Sequence, residues 1–207
     1  MDAPQEIMNS LIRQFDNIAE DKQSSDHEWE YCFKYFSGKP KDHDLGCLHL
    51  GFYLASWGMY RGSSEIRNFN HLVHQPIVEE VLLSSYDPLR GASLEELSQN
   101  IDLVWTIAEK IRTLYPSTIT VTDTLLTKVL MGTLGCTPAY DRYFKAGAAQ
   151  DGISQTFSRK GFNSLLQCCQ ARSEGFLQAQ EKIPDYPVMR LVDMYYFARG
   201  EGMKANL

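Results

Sequence analysis

Apolar residues recur at three- and four-residue spacing along almost the whole chain, which predicts helices rather than strands. Ile7, Leu11, Phe15 and Ile18 define one face of a first helix. Trp29, Phe33 and Phe36 define a second, with Asp26 placed to cap it and Gly38-Lys-Pro40 placed to stop it. Leu45, Leu48, Phe52, Ala55 and Met59 mark a third helix, apolar enough to be expected in the core. A further helical segment runs to about His74, and Pro76 suits the first turn of a helix with Ile77, Val81 and Leu82 inward. Ser93-Leu-Glu-Glu96 reads as a capping box for a helix carrying Leu97, Ile101, Val104, Ile107, Ala108, Ile111 and Leu114. The threonine-rich stretch 117–124 predicts a turn into the next helix, which carries Leu125, Leu126, Val129 and Leu130. Two more helices are expected near 158–181 and 187–199. The whole predicts a single all-α domain over 1–207, with eight to ten helices. Its acidic N-terminal helices span 1–36 and its core spans 43–199.

Composition narrows the class. Of 207 residues, 43% are hydrophobic and 22% charged, ordinary values for a globular chain with a buried core. The net charge of −6 argues at first against a nucleic-acid partner. Its distribution changes that reading, because residues 1–30 hold eight acids and two bases. The remainder balances at 18 against 18, and 139–172 is locally basic through Arg142, Lys145, Arg159, Lys160 and Arg172. A DNA surface there would have the acidic first helices facing away; a solvated helix face is the plainer reading. The five cysteines show no paired spacing and read as reduced thiols of a cytoplasmic protein. No secretory leader pattern opens the chain and no membrane span is expected.

Chemistry concentrates in 124–144, TLLTKVLMGTLGCTPAYDRYF. An apolar helix, a Gly-Cys-Thr-Pro turn and an Asp opening a short helix follow one another. This resembles the core of the helix-hairpin-helix DNA glycosylases, in which an essential Asp stands at the mouth of a cleft between two helical lobes. The resemblance implies a two-lobed fold, a flipped base, and hydrolysis of an N-glycosidic bond as in base excision, with no cofactor and no metal. Asp141 matches the essential Asp. A carboxylate there stabilises the oxocarbenium-like state and activates water. The competing role for Asp141 is an N-cap after a proline turn.

Trp57, Tyr60 and Tyr140 are candidates to stack on a base, and Arg61, His74 and Arg142 to hold base or phosphate groups. Core packing for Trp57 and a surface ion pair for Arg61 compete with those roles. Two features depart from the family. The stretch 119–124 has no glycine for a phosphate-binding hairpin. The Schiff-base lysine of bifunctional members would fall at Asp123 or Thr124, with Lys128 one turn beyond, so a monofunctional enzyme is expected. The stretches LASWGMYRGSS, MGTLGCTPAYDRYF and YPVMRLVDMYYF are also similar to uncharacterised bacterial proteins. Small bacterial glycosylases linked to antiviral defence remove modified bases from phage DNA. Membership among them would make a bulky modified pyrimidine the substrate.

Two other classes compete. Arg67 and His74, with Asn68, form an R-x6-H arrangement similar to that of HEPN ribonucleases. A non-enzymatic helical binding module using the acidic front end is the third reading. His43, Cys47, His49, His71 and His74 match no zinc spacing. Asp193, in an otherwise apolar run, needs a partner such as Arg190 or Arg199 and reads first as structural.

Overall fold

The computed structural model describes residues 3–204. Among them the chain is all-α, with eleven α-helices and three short 3₁₀ turns. In order these are α1 (Pro4–Glu20), α2 (Asp26–Ser37), α3 (His43–Ser56), α4 (Gln75–Val81), α5 (Leu94–Gln99), α6 (Ile101–Leu114), α7 (Asp123–Thr133), α8 (Arg142–Ala149), α9 (Arg159–Gln170), α10 (Ser173–Lys182) and α11 (Val188–Lys204). The 3₁₀ turns are Glu65–Asn68, His71–His74 and Ser84–Leu89. No described helix is long and apolar enough to cross a membrane.

The centre is α7, in which every residue from Leu125 to Thr133 is buried. A fully buried Leu or Val contributes about 1.5–3 kcal/mol relative to exposure, so this helix anchors the core. The predicted turn before it is present: the Thr122 hydroxyl accepts the Leu125 amide at 3.2 Å as the N-cap. At the other end Arg90 donates to the Thr133 carbonyl at 2.9 Å and to the Val81 carbonyl at 3.0 Å. The helices α2, α3, α4, α6 and α7 pack on one another, while α1, α8, α10 and α11 form a second packed group. Between α8 and α11 the backbones nearly touch. A Cβ on Gly147 would lie 1.9 Å from the Tyr196 carbonyl oxygen, and one on Gly200 1.9 Å from that of Tyr143. Only glycine at both positions permits this approach.

Several expectations change. The segment before His74 is two 3₁₀ turns rather than one helix, because the chain is extended at Phe69 and Asn70 between them. Residues 158–181 form two helices broken at Ala171-Arg172. Asp26 is the first residue of α2 rather than its cap, which is Ser25. Helix α3 exists, but Leu45, Leu48 and Phe52 are exposed, and it buries Cys47, Leu50, Tyr53 and Leu54 instead. Apolar residues surround that helix, so spacing alone could not choose its inner face.

Candidate functional site

Asp141 is the N-cap of α8, and one carboxylate oxygen, Oδ1, accepts both the Tyr143 amide at 2.9 Å and the Phe144 amide at 3.0 Å. The other oxygen takes no hydrogen bond from the described residues. Capping therefore orients the group and leaves one acceptor unoccupied. The contrast with Asp123 at the start of α7 is informative. Both of its oxygens are occupied, by Arg112 at 2.9 Å and by the Phe157 amide at 3.0 Å.

Asp141 lines a cleft of about 680 Å³. Trp57, Arg61 and Arg142 line it as well, so four of the seven sequence candidates come together. The other three do not line it. His74 is wholly buried, with Nε2 2.8 Å from the Tyr60 hydroxyl and Nδ1 3.0 Å from that of Tyr115. Burial pushes its pKa down to about 3, so the ring is neutral. Tyr60 is its partner at the edge of the core. Tyr140 is buried against Phe144 and Phe157, and its hydroxyl has no hydrogen-bond partner among the described residues. Arg67 is exposed and donates to the Gly62 carbonyl. No hydrogen bond joins it to the enclosed His74, so the R-x6-H pair does not assemble as an exposed acid–base site. Among the described residues no three His, Cys, Asp or Glu gather as a metal site.

Sequence reasoning missed most of the cleft's walls. Helix α1 contributes Gln14, Asn17 and Ile18, followed by Ser25 and Asp26. The front end thus forms one side of the cleft, with Asp26 the acid that it brings there. Lys128 is buried on α7, lines the cleft, and donates from Nζ to the Trp57 carbonyl at 2.7 Å. Burial lowers its pKa, while the Asp141 and Asp193 carboxylates oppose that shift. Arg190 lies 5.0 Å from the ring centroids of both Trp29 and Trp57, a cation–π arrangement. It pairs with Asp26 and, at 2.9 Å, with Asp193. Asp193 accepts the Ala139 amide at 2.9 Å, two residues before Asp141. Burial raises the Asp193 carboxyl to about 7, against the lowering pull of Arg190. Its expected partner is therefore Arg190, and the pair braces the loop that delivers Asp141.

The basic stretch 139–172 is less open than its composition suggests. Arg172 is buried against Asp151 at 2.9 Å, and Arg159 pairs with Asp102. Arg142 stays exposed, 4.4 Å from the Tyr143 ring centroid, and makes no ion pair among the described residues. Trp57 has its indole N–H bound to the Ser25 carbonyl at 3.0 Å, which fixes its ring at the cleft. Comparison with family models, with curated proteins and with solved structures returns no match.

Proposed function

We propose that the protein is a monofunctional DNA N-glycosylase acting in this cleft. The observation that carries the reading is Asp141: a carboxylate oriented by two helix amides, with one oxygen unoccupied, in an opening that also holds an indole and cationic groups. In the reaction the C1′–N bond breaks and its electron pair leaves with the base, which takes up a proton from solvent. The sugar becomes oxocarbenium-like, and a negative carboxylate beside it lowers that barrier. Water adds to C1′ and passes its proton to Asp141, leaving an abasic site. Trp57 offers a surface for the flipped base. A cleft of this volume lies in the range that holds drug-sized ligands, which suits a base carrying an appended group. DNA with bulky modified pyrimidines, as in phage genomes, is the first substrate to test.

The experiment incubates purified protein with DNA carrying varied modified bases, then cleaves abasic sites with alkali. Asp141→Asn is expected to reduce base release by roughly 10²–10³-fold, as for loss of one preorganised electrostatic group. Unchanged release would remove Asp141 from the reaction. A second reading has one observation in its favour, the Lys128 amine in the same cleft. If Lys128 attacked C1′ in place of water, borohydride would trap a protein–DNA adduct and strands would nick without alkali. The monofunctional reading expects neither.

A further inference from the structure

We propose that the cleft receives one nucleotide of single-stranded DNA, gripped at its mouth by two phosphate contacts from Arg61 and Arg142, and that it has no binding face for a duplex. The inference rests on the glycosylase reading for the identity of the polymer. The restriction to a single strand comes from how charges are distributed.

The described cleft residues carry four cations, Arg61, Lys128, Arg142 and Arg190, against four carboxylates, Asp26, Asp141, Asp193 and Glu201. Arg190 is neutralised by Asp26 and Asp193, and Lys128 is buried with its amine on the Trp57 carbonyl. Arg61 and Arg142 differ from both. They are exposed, make no ion pair among the described residues, and come from two different elements, the turn after α3 and the start of α8. Each guanidinium is partly oriented. That of Arg61 packs beside Gly58 and lies 3.5 Å from the Ser56 carbonyl, and Arg142 donates to the Tyr143 hydroxyl at 2.7 Å. A forked planar cation on each of two walls is the arrangement that grips phosphate.

The cleft lacks what a duplex needs. A B-form helix presents closely spaced phosphates on two strands, and proteins that hold it commonly neutralise six or more. The α1 wall of this cleft presents Gln14, Asn17 and Ile18, followed by Ser25 and Asp26, and Glu201 of α11 also lines the cleft. A second strand laid along that wall would meet carboxylates. Of the bases that follow Asp141 as far as Arg172, Arg159 and Arg172 are held by Asp102 and Asp151, and Lys145 and Lys160 do not line the cleft.

The test is the salt dependence of binding, using a short mixed-sequence single strand and its duplex as probes. Two phosphate contacts on a single strand give a log–log slope of about −1.4, so affinity should fall about sevenfold between 50 and 200 mM salt. Arg61→Gln and Arg142→Gln should each reduce this to about threefold. Arg61→Lys and Arg142→Lys, which keep the charge, should retain the wild-type slope and serve as controls for folding. Equal or tighter duplex binding, a fall exceeding about a hundredfold, or a slope unchanged by either glutamine variant would overturn the proposal. The slopes are read on wild type and the arginine variants without base release, which separates this test from that of the catalytic assignment. Base release from duplex with unchanged slopes would reject the single strand and retain Asp141.

Discussion

Two polar clusters, each built around a buried residue, handle burial in opposite ways. Arg190 is held by ion pairs to Asp26 and Asp193, and the three border the cleft and join residues far apart in sequence. Tyr60, His74 and Tyr115 form an uncharged chain of hydrogen bonds removed from the cleft. A buried charge survives only with a counter-charge and hydrogen bonds, whereas an imidazole can give up its proton. The first cluster therefore sets a guanidinium and its carboxylate partners beside an open cavity. The second contributes packing alone, although its His74 looked as promising in the sequence as any cleft residue.

The sharpest way to break this comparison is to remove the central guanidinium. Arg190→Met leaves Asp193 buried without its counter-ion and should destabilise the fold by about 3–5 kcal/mol in denaturant titration. Adding Asp193→Asn should recover part of the loss; a single-variant effect below about 1 kcal/mol would mean the cluster is not a charged unit. His74→Ala should cost about 2–3 kcal/mol, by opening a cavity and leaving two phenol hydroxyls without their shared partner. The pH response is smaller and has a definite sign. His74 titrates near 3 in the fold, against an ordinary value of 6.5, so the unfolded chain takes up the proton first. Its contribution is complete above pH 6.5 and is lost as pH falls toward 3. Between pH 6.5 and 5 the wild type should lose about 1.5 kcal/mol more stability than His74→Phe. His27, raised chiefly by its hydrogen bond to Glu30, works in the opposite direction in both proteins and cancels in the difference. The smallest change in stability belongs to Asp141→Asn, within about 0.5 kcal/mol, because Asn caps a helix about as well as Asp. The same substitution should abolish most base release, and thermal melts beside the alkali assay measure both.

Local chemistry was legible in the chain, and long-range assembly was not. Ser93 and Glu96 make both bonds of the expected capping box, at 3.3 and 2.8 Å. Ile7 and Leu11 are buried as their spacing requires. The cap at Asp141 was legible because its turn, cap and helix occupy adjacent residues. The walls facing it could not. Asp26 meets Arg190 across 164 positions, and nothing in either local sequence announces the other. Lys128 looked misplaced when counted along the chain, yet the α7–α8 turn brings it to the cleft shared with Asp141. The wrong inner face of α3 has a similar origin, since only its neighbours decide which of its apolar residues are covered.

The contact of Gly147 with α11 and Gly200 with α8 also constrains the order in which this protein can change. Each glycine faces a carbonyl on the opposite helix, so a methyl group at either one must push apart the pair that carries Asp141. A substitution at one glycine cannot be compensated by shrinking the other, which is already as small as a residue can be. Neither position can vary first. Diversification of the cleft must therefore proceed through α1, the turn holding Trp57 and Arg61, and the mouth, around a carboxylate whose supporting helix is held in place.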